Sequence, residues 1–166
     1  LGDAVTIDYK NASGETANCT TIVGDFVASN VDLIMANGTT ALQSAMAATS
    51  SIPILGTSIT EYGVALGIDG INVSGPSDLA PLDQQAAMLQ EWFPDAQTVG
   101  LLYCSAEPNS QYQVDTVQGY LEQAGITCTQ YSFSDSNDLS AVATTACTES
   151  DVVYIPTDNT AATNAE

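Results

Sequence analysis

Short apolar runs alternate along this chain with stretches whose apolar residues recur at helical spacing. Val5 to Tyr9 alternates apolar with polar positions, predicts a strand, and ends in the turn cluster Asn11 to Gly14. Cys19, Ile22, Val23, Phe26 and Val27 share one helical face. Val31 to Ala36 is nearly all apolar, as in a buried parallel strand, and stops at Asn37-Gly38. Thr39 or Thr40 is placed to cap a helix whose inner face carries Leu42, Ala45 and Met46. Ile52 to Gly56 predicts another buried strand, which feeds Thr57-Ser58-Ile59-Thr60-Glu61.

From Gly63 to Ala80 the pattern changes. Glycines, Pro76 and the strand-like Ile71-Asn72-Val73 read as a crossover between two lobes. Pro81 sits like a first-turn helix proline, Leu82, Ala86, Leu89 and Phe93 form a stripe, and Pro94 lies past the end. Val99 to Cys104 predicts a strand and Ser105 to Ser110 a polar loop. Val114, Val117, Leu121 and Ala124 mark a helix that Gly125 ends. Ile126 to Phe133 is strand-like, Leu139 to Cys147 a helix with Asp138 near its start, and Val152 to Ile155 a strand. Pro156-Thr157-Asp158-Asn159 opens a last helix. Trp92, Phe93 and Tyr120, carried on helices, read as core, while Tyr62 and Tyr112 lie nearer the loops. Strand–helix alternation with buried strands predicts an α/β protein with parallel sheets. Residues 1–75 form a first lobe and 76–166 a second, with a hinge around 66–80. Residues 31–40 and 150–160 echo one another, each a strand feeding a polar loop and a helix start. Either two similar lobes or shared α/β architecture accounts for that.

Charge narrows the function. Twenty acidic residues face one base, Lys10, and no histidine, for a net charge of -19. Nucleic-acid binding needs Lys and Arg against phosphates, and anionic membrane surfaces need them too. Without histidine there is no Ser-His-Asp or Cys-His couple and no imidazole zinc site. Neither a phosphate-binding loop nor a GxGxxG fingerprint occurs, so no cofactor is expected. The reading is a non-enzyme, with a flavodoxin-like or Rossmann-like enzyme as the weaker alternative. Cys19, Cys104, Cys128 and Cys147 form no CxxC pair. They read as buried free thiols ahead of a Cys128–Cys147 or similar bridge.

In open α/β sheets ligands bind beyond the carboxyl ends of the strands, where helix N-termini offer free N–H groups. The first half places Thr39, Thr40, Ser58 and Thr60 at such ends, as donors for an anionic oxygen. The second half places Glu107, Asn109, Ser110, Asp158 and Asn159 there, with carboxylates suited to an ammonium. Donors on one lobe and acceptors on the other complement an α-amino acid. The same residues also suit helix caps and loop hydroxyls.

Val5-Thr6-Ile7-Asp8-Tyr9-Lys10-Asn11-Ala12, Val31-Asp32-Leu33-Ile34, Ile52-Pro53-Ile54 and Asn72-Val73-Ser74-Gly75 occur in that order. They are followed by Val99-Gly100-Leu101-Leu102-Tyr103, Glu107-Pro108-Asn109-Ser110 and Tyr154-Ile155-Pro156-Thr157-Asp158-Asn159. This ordered set resembles the ABC-transporter substrate-binding family that includes the TrpX-like lipoproteins. The resemblance implies a type I periplasmic-binding fold: two Rossmann-like lobes closing on a ligand. It implies an amino-acid ligand, often Trp, Phe or Tyr, an ABC permease as partner, and an extracytoplasmic site in the periplasm or on a cell-surface lipoprotein. It places the cleft at the nine loop residues just named. A ligand-sensing module of the same fold, uncoupled from transport, is the other reading. Family members carry one more strand–helix unit at the start and continue past the last helix, so both lobes are expected to be incomplete. Thr39-Thr40 stands where many relatives have proline, and Thr60-Glu61-Tyr62 where relatives often have Asp-Pro.

Overall fold

The computed structural model describes residues 4–68 and 72–165. The chain divides into two compact units. One comprises Leu1–Ser58 with Asp69–Pro76, the other Ile59–Ile68 with Ser77–Glu166.

In the first unit α1 (Thr16–Ala28) precedes β1 (Ile34–Asn37), α2 (Thr39–Ala48), β2 (Ile54–Thr57) and β3 (Val73–Ser74). The three strands are parallel in the order β1-β2-β3, with Asn37 level with Thr57. Side chains alternate across a strand. Ile34, Ala36 and Ile54 are therefore buried together, while Met35 and Leu55 on the opposite face are exposed. Leu42 and Ala45 of α2 and Cys19 and Val23 of α1 complete this core. Met46 is only half-buried.

Val5 to Tyr9 does not form the expected strand. The segment is irregular, and Val5, Ile7 and Tyr9 stay exposed. Alternation supplies an apolar face, but a strand also needs a neighbour to accept its backbone hydrogen bonds. The expected strand 71–73 begins at Val73; Ile71 lies outside the described residues, as does part of the expected hinge (69–71).

In the second unit α3 (Leu82–Trp92), β4 (Thr98–Cys104), α4 (Pro108–Gln123), β5 (Thr127–Phe133), α5 (Ser136–Glu149), β6 (Val152–Tyr154) and α6 (Asn159–Thr163) follow in turn. The sheet is parallel, in the order β5-β4-β6. Central β4 is buried on both faces, which explains its unbroken Val-Gly-Leu-Leu-Tyr-Cys run. On one side Val99, Leu101 and Tyr103 pack with Leu82, Ala86 and Leu89 of α3 and Val114, Val117 and Leu121 of α4. On the other, Leu102, Cys104 and Phe133 pack against Leu139, Val142 and Ala143 of α5 and Ala161 of α6. The Asp151 carboxylate accepts from the N–H groups of Gln97 and Thr98 and the Thr98 hydroxyl, each at 2.9 Å, pinning the start of β4 beside β6. Those bonds hold its carboxyl below the usual carboxylate pKa.

Several boundaries differ from the sequence reading. Gly38, not a threonine, is the N-cap of α2. Pro81 caps α3 from one residue before its first turn. Pro108 is the first residue of α4, so Pro108, Asn109 and Ser110 are helical rather than loop. The helix expected from Leu139 begins at Ser136 and is capped by Asp135, which accepts from the Asn137 N–H at 2.8 Å; Asp138 lies in its first turn, near the start as expected. Trp92, Phe93 and Tyr120 are exposed rather than core. Phe93 falls just past the last turn of α3, and Tyr120 is rotated away from the Val114–Val117–Leu121 stripe. All four cysteines are free thiols: Cys19 and Cys104 buried, Cys128 half-buried, Cys147 exposed. Burial and the nearby Glu122 carboxylate push the Cys128 thiol up to about 11.

Gly100 marks the tightest point in the second sheet. A Cβ there would lie 2.7 Å from Ser150 Oγ and 3.1 Å from the Tyr131 ring. Gly100→Ala is expected to cost about 1–3 kcal/mol by overpacking. A lowered urea midpoint at unchanged slope would display it; an unchanged midpoint would mean that the two side chains yield freely.

Candidate functional site

In the first unit the carboxyl ends of β1 and β2 lie side by side, joined by Gly38 N–H donating to the Thr57 carbonyl at 2.9 Å. Gly38 adopts φ +91°, a backbone conformation that glycine reaches without strain. Having no side chain, it leaves the N-terminus of α2 without a side-chain cap, and no acidic residue occupies the first turn. The first N–H groups of a helix have no intrahelical partner. Here they stand beside the buried Thr39 and half-buried Thr40, a donor-rich arrangement suited to a carboxylate. Ser58, at the end of β2, is exposed and holds the left-handed φ +55°. Thr60 belongs to the second unit, where it is buried and its carbonyl accepts from the Ser77 hydroxyl at 2.6 Å.

In the second unit the carboxyl ends of β4 and β6 adjoin, and the other five predicted residues meet there. Glu107, nearly buried, bridges α4 to α6. One carboxylate oxygen accepts from the Thr160 N–H (2.9 Å) and hydroxyl (2.8 Å). The other accepts from the Asn159 N–H (2.9 Å) and side-chain amide (2.8 Å), and from Asn109 Nδ2 (3.3 Å). Burial pushes this carboxyl up, but the bonds from Asn159 and Thr160 outweigh it and hold the pKa below the ordinary value. Asp158, also buried, accepts from the Ala161 N–H at 2.8 Å as the cap of α6, and from the Cys104 N–H at 2.7 Å. The helix start at α6 is thus closed by two carboxylates where that at α2 is open.

Asn109 Nδ2 also donates to the Thr157 carbonyl (3.1 Å) and approaches Ser110 Oγ (3.4 Å). Its Oδ1 is buried and has no hydrogen-bond partner among the described residues. Exchanging the two amide atoms would set the oxygen against Glu107 and the Thr157 carbonyl, so the orientation is fixed by its acceptors. A buried carbonyl oxygen without a partner is costly unless a donor arrives. Gln113, one turn along α4, donates to Asn109 O (3.0 Å) and to the Thr157 hydroxyl (2.7 Å). Gln113, Thr157 and Thr160 are absent from the sequence-predicted set. Thr157 stands in the strand-end stretch Pro156-Thr157-Asp158-Asn159, and Gln113 is a polar residue one position ahead of the buried stripe that starts at Val114; Thr160 left no signal. Among the described residues no cluster of His, Cys, Asp or Glu could hold a metal ion, and no helix is long and apolar enough to cross a membrane.

The family model for ABC transporter substrate binding proteins matches residues 1–166. A tyrosine-binding protein of Clostridioides difficile is 32% identical over 163 residues, covering 95% of this chain and 47% of the relative. An ABC domain of Streptococcus pneumoniae solved in complex with L-Trp superposes with a TM-score of 0.91 at 30% identity, covering 97% of this chain and 58% of that one. A conserved domain protein of Vibrio cholerae gives a TM-score of 0.89 at 28% identity, covering 98% and 57%. The chain therefore spans about half the length of the relatives it matches. Two parallel-sheet lobes of this kind are those of type I periplasmic-binding proteins. The chain belongs to the ABC transporter substrate-binding protein family.

Proposed function

We propose that this chain is part of an extracytoplasmic binding protein that captures an α-amino acid and hands it to an ABC permease. The observation carrying the ligand class is the chemical contrast between the two strand-end clusters. The open N-terminus of α2, with Thr39, Thr40 and Ser58, supplies donors for a carboxylate. Asn109 Oδ1 supplies a buried acceptor for an ammonium N–H. Glu107 is occupied by Asn159, Thr160 and Asn109, and Asp158 by Ala161 and the Cys104 N–H, so the two carboxylates hold the start of α6 in place and add negative potential, with Ser110 at the edge of the network. Thr60 acts through the backbone turn it anchors. Names carried by relatives, a tyrosine-binding protein and a complex with L-Trp, support an aromatic ligand.

The test is isothermal titration calorimetry of the full chain against the amino acids, beginning with Trp, Phe and Tyr. Saturable heat at micromolar or lower concentration, without turnover of the ligand, is expected. A chain that is folded by circular dichroism yet binds none of the amino acids would overturn the reading.

A further inference from the structure

Nine asparagines occur in this chain, and eight of them commit an atom of the side-chain amide to a hydrogen bond. Asn37 makes no such bond among the described residues, and it is exposed. It is also the one asparagine followed by glycine. These observations meet at the carboxyl end of β1, directly before the open N-terminus of α2.

A free asparagine side chain ahead of glycine has a reaction open to it. The Gly38 nitrogen gives its proton to hydroxide and attacks Asn37 Cγ. The N–Cγ bond forms, the Cγ–Nδ2 bond breaks, and the amide nitrogen leaves as ammonia. Water then opens the cyclic imide. Breaking the bond from the nitrogen to Cγ gives an aspartate. Breaking the bond to the main-chain carbonyl carbon gives an isoaspartate, with the chain running through Cγ. Glycine presents the least hindered nitrogen, having no Cβ. A Cβ at Gly38 would meet nothing within 4 Å, so the ring has room. The fold restrains the step without abolishing it. Gly38 N–H donates to the Thr57 carbonyl at 2.9 Å, and attack needs Asn37 to leave its extended backbone conformation. The Asn37–Thr57 pair is the last rung of a four-residue strand, so one local opening frees the nucleophile.

We propose that Asn37-Gly38 is a self-modification site, where spontaneous deamidation sets a carboxylate against the open start of α2 and closes it to an anionic ligand. The new charge stands one residue before the N-cap, where free N–H groups and the helix dipole stabilise it. The chain's one base, Lys10, is committed to Asp8 at 3.2 Å and does not offset it. The effect on binding rests on the amino-acid reading above, because a ligand carboxylate would then meet a like charge.

The experiment ages the full chain at mildly alkaline pH and maps it by mass spectrometry, with isoaspartate counted by enzymatic methyl transfer to its carboxylate. Asn37 is expected to be the first asparagine converted, and Asn37→Gln is expected to remove that product. The site is overturned if folded wild type converts another asparagine first. It is overturned too if Asn37 stays intact over a time in which the urea-unfolded chain converts it. Calorimetry on fresh wild type, Asn37→Asp and Asn37→Gln reads the consequence, using the tightest of L-Trp, L-Phe and L-Tyr. Asn37→Asp is expected to weaken binding by about tenfold or more, the scale of a like charge set against a carboxylate, while Asn37→Gln keeps wild-type affinity. Equal affinity in Asn37→Asp and wild type overturns the closure of the helix start. If fresh, folded wild type binds no amino acid, the amino-acid reading falls, and the mass map still decides the modification by itself.

Discussion

Raising NaCl from 0.01 to 1 M is expected to lift the thermal unfolding midpoint by about 10 °C, corresponding to about 4 kcal/mol for a chain of this size. Twenty acidic residues and one base give the folded chain a large excess of like charge. Folding crowds these carboxylates together, and their mutual repulsion opposes the compact state. The Lys10–Asp8 contact offsets little of it, since both side chains are about half exposed and exposed pairs contribute at most about 1 kcal/mol. The shape of the curve identifies the cause. Screening lengths fall from about 30 Å at 0.01 M to about 8 Å at 0.15 M, so most of the gain should come at low salt. A midpoint flat below 0.2 M that climbs only toward molar salt would instead indicate exclusion of salt from the surface, and self-repulsion would be discarded as the cause.

Replacing Glu107 should strongly destabilise the second unit. Glu107→Gln keeps the shape but turns an acceptor of five bonds into a group with its own donors, facing N–H groups of Asn159 and Thr160. The expected loss is about 3 kcal/mol at neutral pH, on the scale of hydrogen bonds to a charged group plus stranded donors. The carboxyl's pKa is lowered on folding. Its contribution is therefore fully present above the unfolded pKa of about 4.3 and fades as pH falls through the lower folded value. Urea unfolding of wild type and variant should show a gap that is constant from pH 7 to about 5 and narrows below about 4. A gap that persists unchanged at pH 3 would assign the loss to shape, not charge.

The architecture was legible wherever the local pattern and the tertiary environment agreed. The unbroken apolar run at Val99–Cys104 could only be a strand buried on both faces, and β4 is one. The heptad-like spacing of Leu82, Ala86 and Leu89 likewise matches the buried face of α3. Val5–Tyr9 misled because alternation reports a sided strand but says nothing about whether a hydrogen-bonding neighbour exists. Trp92 and Phe93 misled because a large aromatic side chain signals burial only if the helix turns it inward, and α3 ends there. Sequence brought Glu107, Asn109, Ser110, Asp158 and Asn159 to one strand-end cluster, because strand ends and helix starts are local features. The bonds from Glu107 to Asn159 and Thr160 span more than 50 residues, and no local pattern encodes them. The open N-terminus of α2 was obscured by Thr39 and Thr40, good capping residues that sit one and two places too late to cap.

The division of the chain has a consequence for its synthesis and dissection. Ile59–Ile68 belongs to the second unit, yet it precedes Val73–Ser74, which pairs with β2 in the sheet of the first. Cutting after Ser58 strips β3 from the first unit, and cutting after Pro76 strips a ten-residue segment from the second. No single nick releases both units whole. On the ribosome β3 of the first unit emerges only after part of the second unit, so the two are interleaved in time as well as in sequence.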